Sequence, residues 1–230
     1  MLTLLTFNPA LGTHTPSPFT MKADALLAMS GLPYNREYGD LRKMPRNKLP
    51  VLRAGTTLIP DSAHIQSYLE TEHGILFDDV LSAGDRSTAA AFRAMIEHHL
   101  YFLAMHFRWM EHGDAIKQAF FGQVPAILRG FIFDRVLKDV KKTLYLQGLG
   151  RHTRDELIEF QCRDLQALAI QLGDKPYLLG DRPTSVDASA YGLLHNLIDC
   201  ELDTPGKSEA GRHENIFAYC DRFRQAVFHD

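Results

Sequence analysis

The chain has 230 residues, 45% hydrophobic and 23% charged, with a formal net charge of −3. That is the balance of a globular chain with a sizeable core, and it excludes a disordered or strongly nucleic-acid-binding protein. The three cysteines, Cys162, Cys200 and Cys220, are odd in number and far apart, with no CxxC or zinc spacing, so free thiols in a reducing compartment are expected rather than a disulfide framework.

The opening MLTLLTFNPALG lacks a basic n-region and reads as a strand over residues 2–7, not as a leader; no run of about 18 apolar residues suggests a membrane span. Residues 8–16 form a loop rich in Pro, Gly and Thr. Ser17 is a good N-cap, and Pro18 suits the first position of a helix carrying Ala23, Leu26, Leu27 and Ser30 to a stop at Gly31 and Pro33. Tyr34–Tyr38 is a second strand, and residues 39–48 a short basic loop. Two strands follow, around Pro50-Val51-Leu52 and Thr57-Leu58-Ile59, with a turn at Ala54-Gly55. A helix then runs from Asp61 to about His73. The order β-α-β, loop, β-β-α implies a mixed sheet, because the last two strands need only a tight turn while the first crossover uses a helix.

Residues 74–85 look like a linker, and beyond them the period is helical. Helices are predicted over Thr88–His112, Asp114–Phe121, Ala126–Gln147, Thr153–Leu172, Thr184–Leu197 and His213–Phe228, with breaks at Gly122, Pro125 and Gly148-Leu149-Gly150. This gives a first domain over residues 1–75, a linker over 76–86 and an all-helical domain over 87–230.

The stretch Leu49-Pro50-Val51 and Ile59-Pro60-Asp61-Ser62 concentrates the chemistry. A proline ahead of a short strand can carry a cis peptide and turn a backbone edge outward. Asp61-Ser62 precede a helix whose first N–H groups are unpaired and carry partial positive charge. Together these suit a small ligand with peptide bonds and a carboxylate. Residues 36–53 hold Arg36, Arg42, Lys43, Arg46, Lys48 and Arg53 against Glu37 and Asp40; such a run is either a solvated loop or an anion-holding edge. His98, His99 and His106 share a helix without an HExxH pattern, so no metal is expected.

An α/β thioredoxin-like first domain followed by an all-α domain resembles the glutathione-transferase-like superfamily. Ser17-Pro18-Phe19-Thr20 resembles the segment after the first strand, where cysteine-type members carry Cys-Pro-x-Cys. Lys48-Leu49-Pro50-Val51 resembles the cis-proline stretch, Asp61-Ser62 the acid-serine pair for a γ-glutamyl group, and Thr184-Ser185-Val186-Asp187 the capping box of a buried helix. Gln147 to His152 and Gly180-Asp181-Arg182-Pro183 are closer to the failed-axon-connections and metaxin-like branch.

The resemblance implies glutathione as co-substrate, a small apolar electrophile as second substrate, and a cytoplasmic homodimer. Ser17 would activate the thiol, with Thr13 and Thr15 as substitutes, or would only cap its helix. Val51 would offer its backbone to the cysteinyl part, Asp61 and Ser62 would take the γ-glutamyl group, and Lys48 the glycyl carboxylate. Pro50, Thr184 and Asp187 would be structural. Phe102, His106 and Trp109 would either wall the electrophile pocket or pack in the core. Ser and Thr at 17 and 20 argue against mixed-disulfide chemistry. The alternative is a metaxin-like, non-catalytic binding or scaffold protein with the cleft repurposed.

Overall fold

The computed structural model describes residues 1–229; Asp230, the last residue of the expected helical domain, lies outside them. The sheet contains β1 (Leu2–Thr6), β2 (Tyr34–Tyr38), β3 (Val51–Ala54) and β4 (Thr57–Pro60), in spatial order β2-β1-β3-β4. β1 pairs in parallel with β2 across the crossover helix α1 (Pro18–Met29), and antiparallel with β3; β3 and β4 form a hairpin. The expected mixed sheet is therefore formed. Its core is apolar: Leu4, Leu52, Met21, Leu26 and Leu27 are fully buried together with Ile65 and Leu69 of helix α2 (Ser62–His73).

The rest of the chain is helical: α3 (Ala83–Met95), α4 (Tyr101–Glu111), α5 (Gly113–Phe121), α6 (Ala126–Gln147), α7 (Arg154–Leu172), α8 (Ser185–Ile198), α9 (Pro205–Ala210) and α10 (Glu214–Phe228). Three boundaries differ from the pattern-based reading. The helix expected from Thr88 begins at Ala83, because Ser82 and Asp85 form a reciprocal cap. The same helix changes to a π-helical turn at Ile96–Leu100 before continuing as α4. The short α9, with Thr204 as cap and Pro205 at its first position, had no periodic signal to betray it.

Helix α8 is the axis of the helical region, with every residue from Ser185 to Ile198 buried. A helix buried all round must satisfy its own start. Asp187 Oδ2 accepts the Thr184 N–H and the Thr184 hydroxyl, each at 2.8 Å, while Oδ1 accepts the Leu178 N–H at 2.9 Å and the Tyr219 hydroxyl at 3.2 Å. Burial pushes the Asp187 carboxyl up, and these four donors oppose that shift. Gly192 lets α8 approach α1: a Cβ there would lie 2.6 Å from the Pro18 carbonyl oxygen and 2.9 Å from the Lys22 nitrogen. α8 thus forms the wall against which the start of α1 is set.

Candidate functional site

Strand register brings the sequence motifs to one end of the sheet. Leu5 of β1 lies opposite Val51 of β3, so the exit of β1 toward residue 17 lies beside the Pro50 turn. Val51 in turn faces Pro60, and the Asp61 N–H donates to the Pro50 carbonyl at 3.1 Å. The N-termini of α1 and α2 both open at this end, because each helix follows a strand that finishes there. Two helix starts and one strand entry therefore converge, a natural place for anionic groups.

Ser17 is the N-cap of α1, its Oγ accepting the Thr20 N–H at 3.3 Å. Capping uses a lone pair and leaves the hydroxyl proton available, so capping and donation to a ligand are compatible in one rotamer, without the hydroxyl turning away from the helix. The Phe19 N–H has no backbone partner among the described residues, and Pro18 has no N–H to offer. The substitutes face inward. Thr13 is buried and donates to the Ala10 carbonyl at 2.9 Å; Thr15 is buried and accepts from Thr6 at 3.3 Å. Ser17 remains as the half-buried hydroxyl of this segment. Thr20 is buried with its hydroxyl unpartnered.

The Leu49–Pro50 bond is cis. Val51 does not carry the free backbone edge: it lies in an inner strand and pairs with Leu5 on one side and Pro60 on the other, and burial does not separate it from Leu49, which is 8% exposed. The available edge is two residues earlier, at Leu49, which lies outside the strand and has no sheet partner among the described residues. Periodicity could not separate these positions, since both are apolar neighbours of the proline.

Asp61 is exposed, with φ 81° and ψ 134°, a conformation unusual for a residue with a side chain, and its Oδ1 accepts the Ala63 N–H at 2.9 Å. Ser62 is 2% exposed, and its hydroxyl takes no partner among the described residues. Of the basic run, Arg36 pairs with Asp24, Arg42 with Asp40 and Arg53 with Glu37. Lys43, Arg46 and Lys48 are exposed and have no carboxylate partner among the described residues, leaving a positive surplus near the cis-proline turn.

Side chains from the helical region close over α1, and sequence reasoning did not single them out. Lys22 is 1% exposed and donates to Glu97 Oε1 at 2.6 Å, and Ser189 of α8 donates to the same oxygen at 2.7 Å. Burial lowers the Lys22 pKa, against the pull of Glu97. Phe19 packs edge-on against Tyr101, 4.8 Å between ring centroids, and Arg108 donates to the Pro16 and Asn196 carbonyls at 2.8 Å each. The available signals were a lysine inside the apolar α1 pattern and an arginine between Phe107 and Trp109. Trp109 is half-buried, stacked on Phe120 and Phe133 against a small apolar cluster that includes Leu11 of the 8–16 loop. Phe102 lies edge-on to Tyr101, and His106 to Phe107, with the His106 Nδ1 buried and unpartnered.

Comparison with known proteins matches two family models: a glutathione S-transferase N-terminal domain over residues 18–114 and a glutathione S-transferase C-terminal domain over residues 162–223. The isoprene-epoxide glutathione S-transferase of Rhodococcus sp. (strain AD45) is 30% identical across 98% of each chain. Human metaxin-2 is 24% identical over 92% of this chain and 82% of its own. Failed axon connections of Drosophila melanogaster is 28% identical over 79% of this chain and 46% of its own. Among solved structures, a glutathione S-transferase of Ceriporiopsis subvermispora in complex with glutathione superposes with a TM-score of 0.65 at 17% identity, covering 97% of this chain and 96% of that one.

Proposed function

The chain belongs to the glutathione S-transferase family, and we propose that it binds glutathione and directs the thiolate at a small apolar electrophile. The observation that carries this reading is the set of unused polar groups at one end of the sheet: the Ser17 hydroxyl proton, the Phe19 N–H, the Leu49 backbone and the Ser62 hydroxyl. They match glutathione in order. Ser62 and the α2 start take the γ-glutamyl carboxylate, with Asp61 on its ammonium; Leu49 pairs with the cysteinyl backbone; Lys48 meets the glycyl carboxylate. The sulfur then lies over the start of α1.

There Ser17 donates its O–H to the sulfur, and the helix terminus adds positive potential. Lowering a thiol pKa from about 8.5 to about 6.5 requires about 2.7 kcal/mol of preferential thiolate stabilisation. The thiolate attacks the electrophilic carbon and a bond to oxygen or another leaving atom breaks. With an epoxide the product is a thioether alcohol, its oxygen protonated from solvent. The Rhodococcus relative makes epoxides the first electrophiles to try. The same proposal places the protein in the cytoplasm, in keeping with its three free cysteines, and as a homodimer.

A second reading, a non-catalytic scaffold, is favoured by the packing of Trp109 against the apolar cluster that anchors the 8–16 loop and by the metaxin relatives. Calorimetric titration of glutathione into the wild type and Ser62→Ala decides between them. Saturable binding that Ser62→Ala weakens about fivefold or more supports the enzyme reading. No heat at millimolar glutathione rejects it and leaves the scaffold.

A further inference from the structure

Arg108 is a partly buried guanidinium with no carboxylate against it among the described residues. Its partners are the Pro16 and Asn196 carbonyls and the Cys200 sulfur beyond α8, and the Tyr101 hydroxyl of its own helix lies nearby. Lys207 is held on the Cys200 carbonyl, and the carboxylate that senses it, Asp199, is paired with His195 and not with Arg108. Desolvation without a counter-ion is costly, and it pushes the Arg108 pKa down. A structural pin between two carbonyls could be supplied by a neutral donor; a cation here has a surplus charge to use.

Its placement shows where that charge acts. Tyr101 and Arg108 lie seven positions apart on one face of α4, two helical turns. Tyr101 packs on Phe19 and Arg108 grips Pro16, so the two contacts bracket Ser17 and Pro18. The Pro16 carbonyl belongs to the peptide whose nitrogen is that of Ser17, so fixing it fixes the N-cap conformation.

We propose that Arg108 is a positioning residue for thiol activation: it holds the Pro16 carbonyl so that Ser17 presents its hydroxyl to the cleft, and its unneutralised charge reinforces the positive start of α1. The proposal rests on the glutathione-binding reading given above. In the ionisation step the thiol proton passes to solvent, and the remaining thiolate accepts the Ser17 O–H within this positive field.

The test is the half-ionisation pH of bound glutathione, followed by thiolate absorbance in the ultraviolet, in wild type, Arg108→Lys and Arg108→Gln. Lysine keeps the charge; glutamine keeps a donor for the carbonyl but not the charge. The half-ionisation pH is expected to rise by ~1 unit in Arg108→Gln, a tenfold loss of thiolate at neutral pH, and to stay near the wild-type value in Arg108→Lys. Equal values in Arg108→Gln and wild type, with glutathione still bound, overturn the proposal. Should Arg108→Gln fail to fold, wild type alone decides: glutathione sulfonate, charged at the sulfur position, is expected to bind ~10-fold tighter than neutral S-methylglutathione, and equal affinities overturn the proposal. A wild type that binds none of the three ligands defeats the glutathione reading itself, and this inference with it.

Discussion

Gly192 of α8 stands against Pro18 of α1 so closely that a Cβ at 192 would lie 2.6 Å from the Pro18 carbonyl oxygen. The obstacle is backbone, which cannot rotate aside, so α1 must move if the side chain grows. Gly192→Ala is expected to cost about 1–3 kcal/mol in urea unfolding. Because Pro18 follows Ser17, the same variant should also bind glutathione more weakly. Full stability with wild-type binding would show that the α1–α8 approach is not fixed by this residue.

Lys22 and Glu97 form a buried pair between α1 and the π-helical turn, their side chains 1% and 13% exposed. Removing one partner leaves a buried charge uncompensated. Lys22→Met is expected to cost about 3 kcal/mol or more, and the Lys22→Met/Glu97→Met double variant less than the sum of the two single changes. Equilibrium unfolding of the full cycle measures this; strict additivity would mean that the two groups do not sense each other.

Asp61 carries both a cap and an unfavourable backbone conformation, with φ 81°. Glycine relieves the conformation and costs the cap only a few tenths of a kcal/mol, whereas alanine keeps the strain and loses the cap. Asp61→Gly should therefore be more stable than Asp61→Ala by about 1–2 kcal/mol, while both lose affinity for glutathione. Thermal unfolding ranks stability, and titration reads binding. Equal stability of the two variants would contradict a strained Asp61.

Asp187 accepts from the Leu178 and Thr184 N–H groups, the Thr184 hydroxyl and the Tyr219 hydroxyl. Asp187→Ala strands these donors in the core, and a loss of about 3 kcal/mol or more is expected. Asp187→Asn, which keeps acceptor capacity, should lose less. A denaturation midpoint unchanged in Asp187→Ala would remove the carboxylate from the list of core supports.

Acid sensitivity has a named contributor in Asp24, which is 1% exposed. Burial raises its pKa, but hydrogen bonds from His14, Arg36 and Tyr34 outweigh this, and the net position is below the ordinary value of 3.8. A carboxyl depressed on folding contributes stability that is complete above 3.8 and is lost as pH falls through the folded-state value. Asp24→Asn should be less stable than wild type at pH 7, with the difference shrinking in acid below about pH 4. Unfolding free energies across this range test the sign. A difference constant with pH would mean that Asp24 makes no charge-dependent contribution.

The local signals were legible because they act through nearest neighbours in the chain. Ser17 before Pro18, Asp61 before the α2 pattern, and Thr184 three residues before Asp187 each announce a helix start from a few adjacent residues. Alternation and turn residues likewise gave the mixed sheet, and the switch to helical period gave the second, helical part of the chain. Spacing thus determined most of the elements and their order.

Long-range placement decided the rest. Whether Leu49 or Val51 carries the open backbone edge depends on strand register, which sets Val51 between Leu5 and Pro60 and leaves Leu49 outside the sheet. Lys22 and Glu97 are 75 positions apart, and Arg108 and Pro16 are 92 apart; neither pair has a one-dimensional signature, because helix periodicity marks a face but not what that face meets. Trp109 reads the same in sequence whatever it packs on, and only the fold brings Phe120 and Phe133 against it. Local hydrogen bonding and hydrophobic period are properties of adjacent residues, so the sequence by itself determined them. The surroundings of Ser17, with Gly192 behind its helix and Arg108 on its preceding carbonyl, arise from packing between distant segments, and the tertiary structure alone decided them.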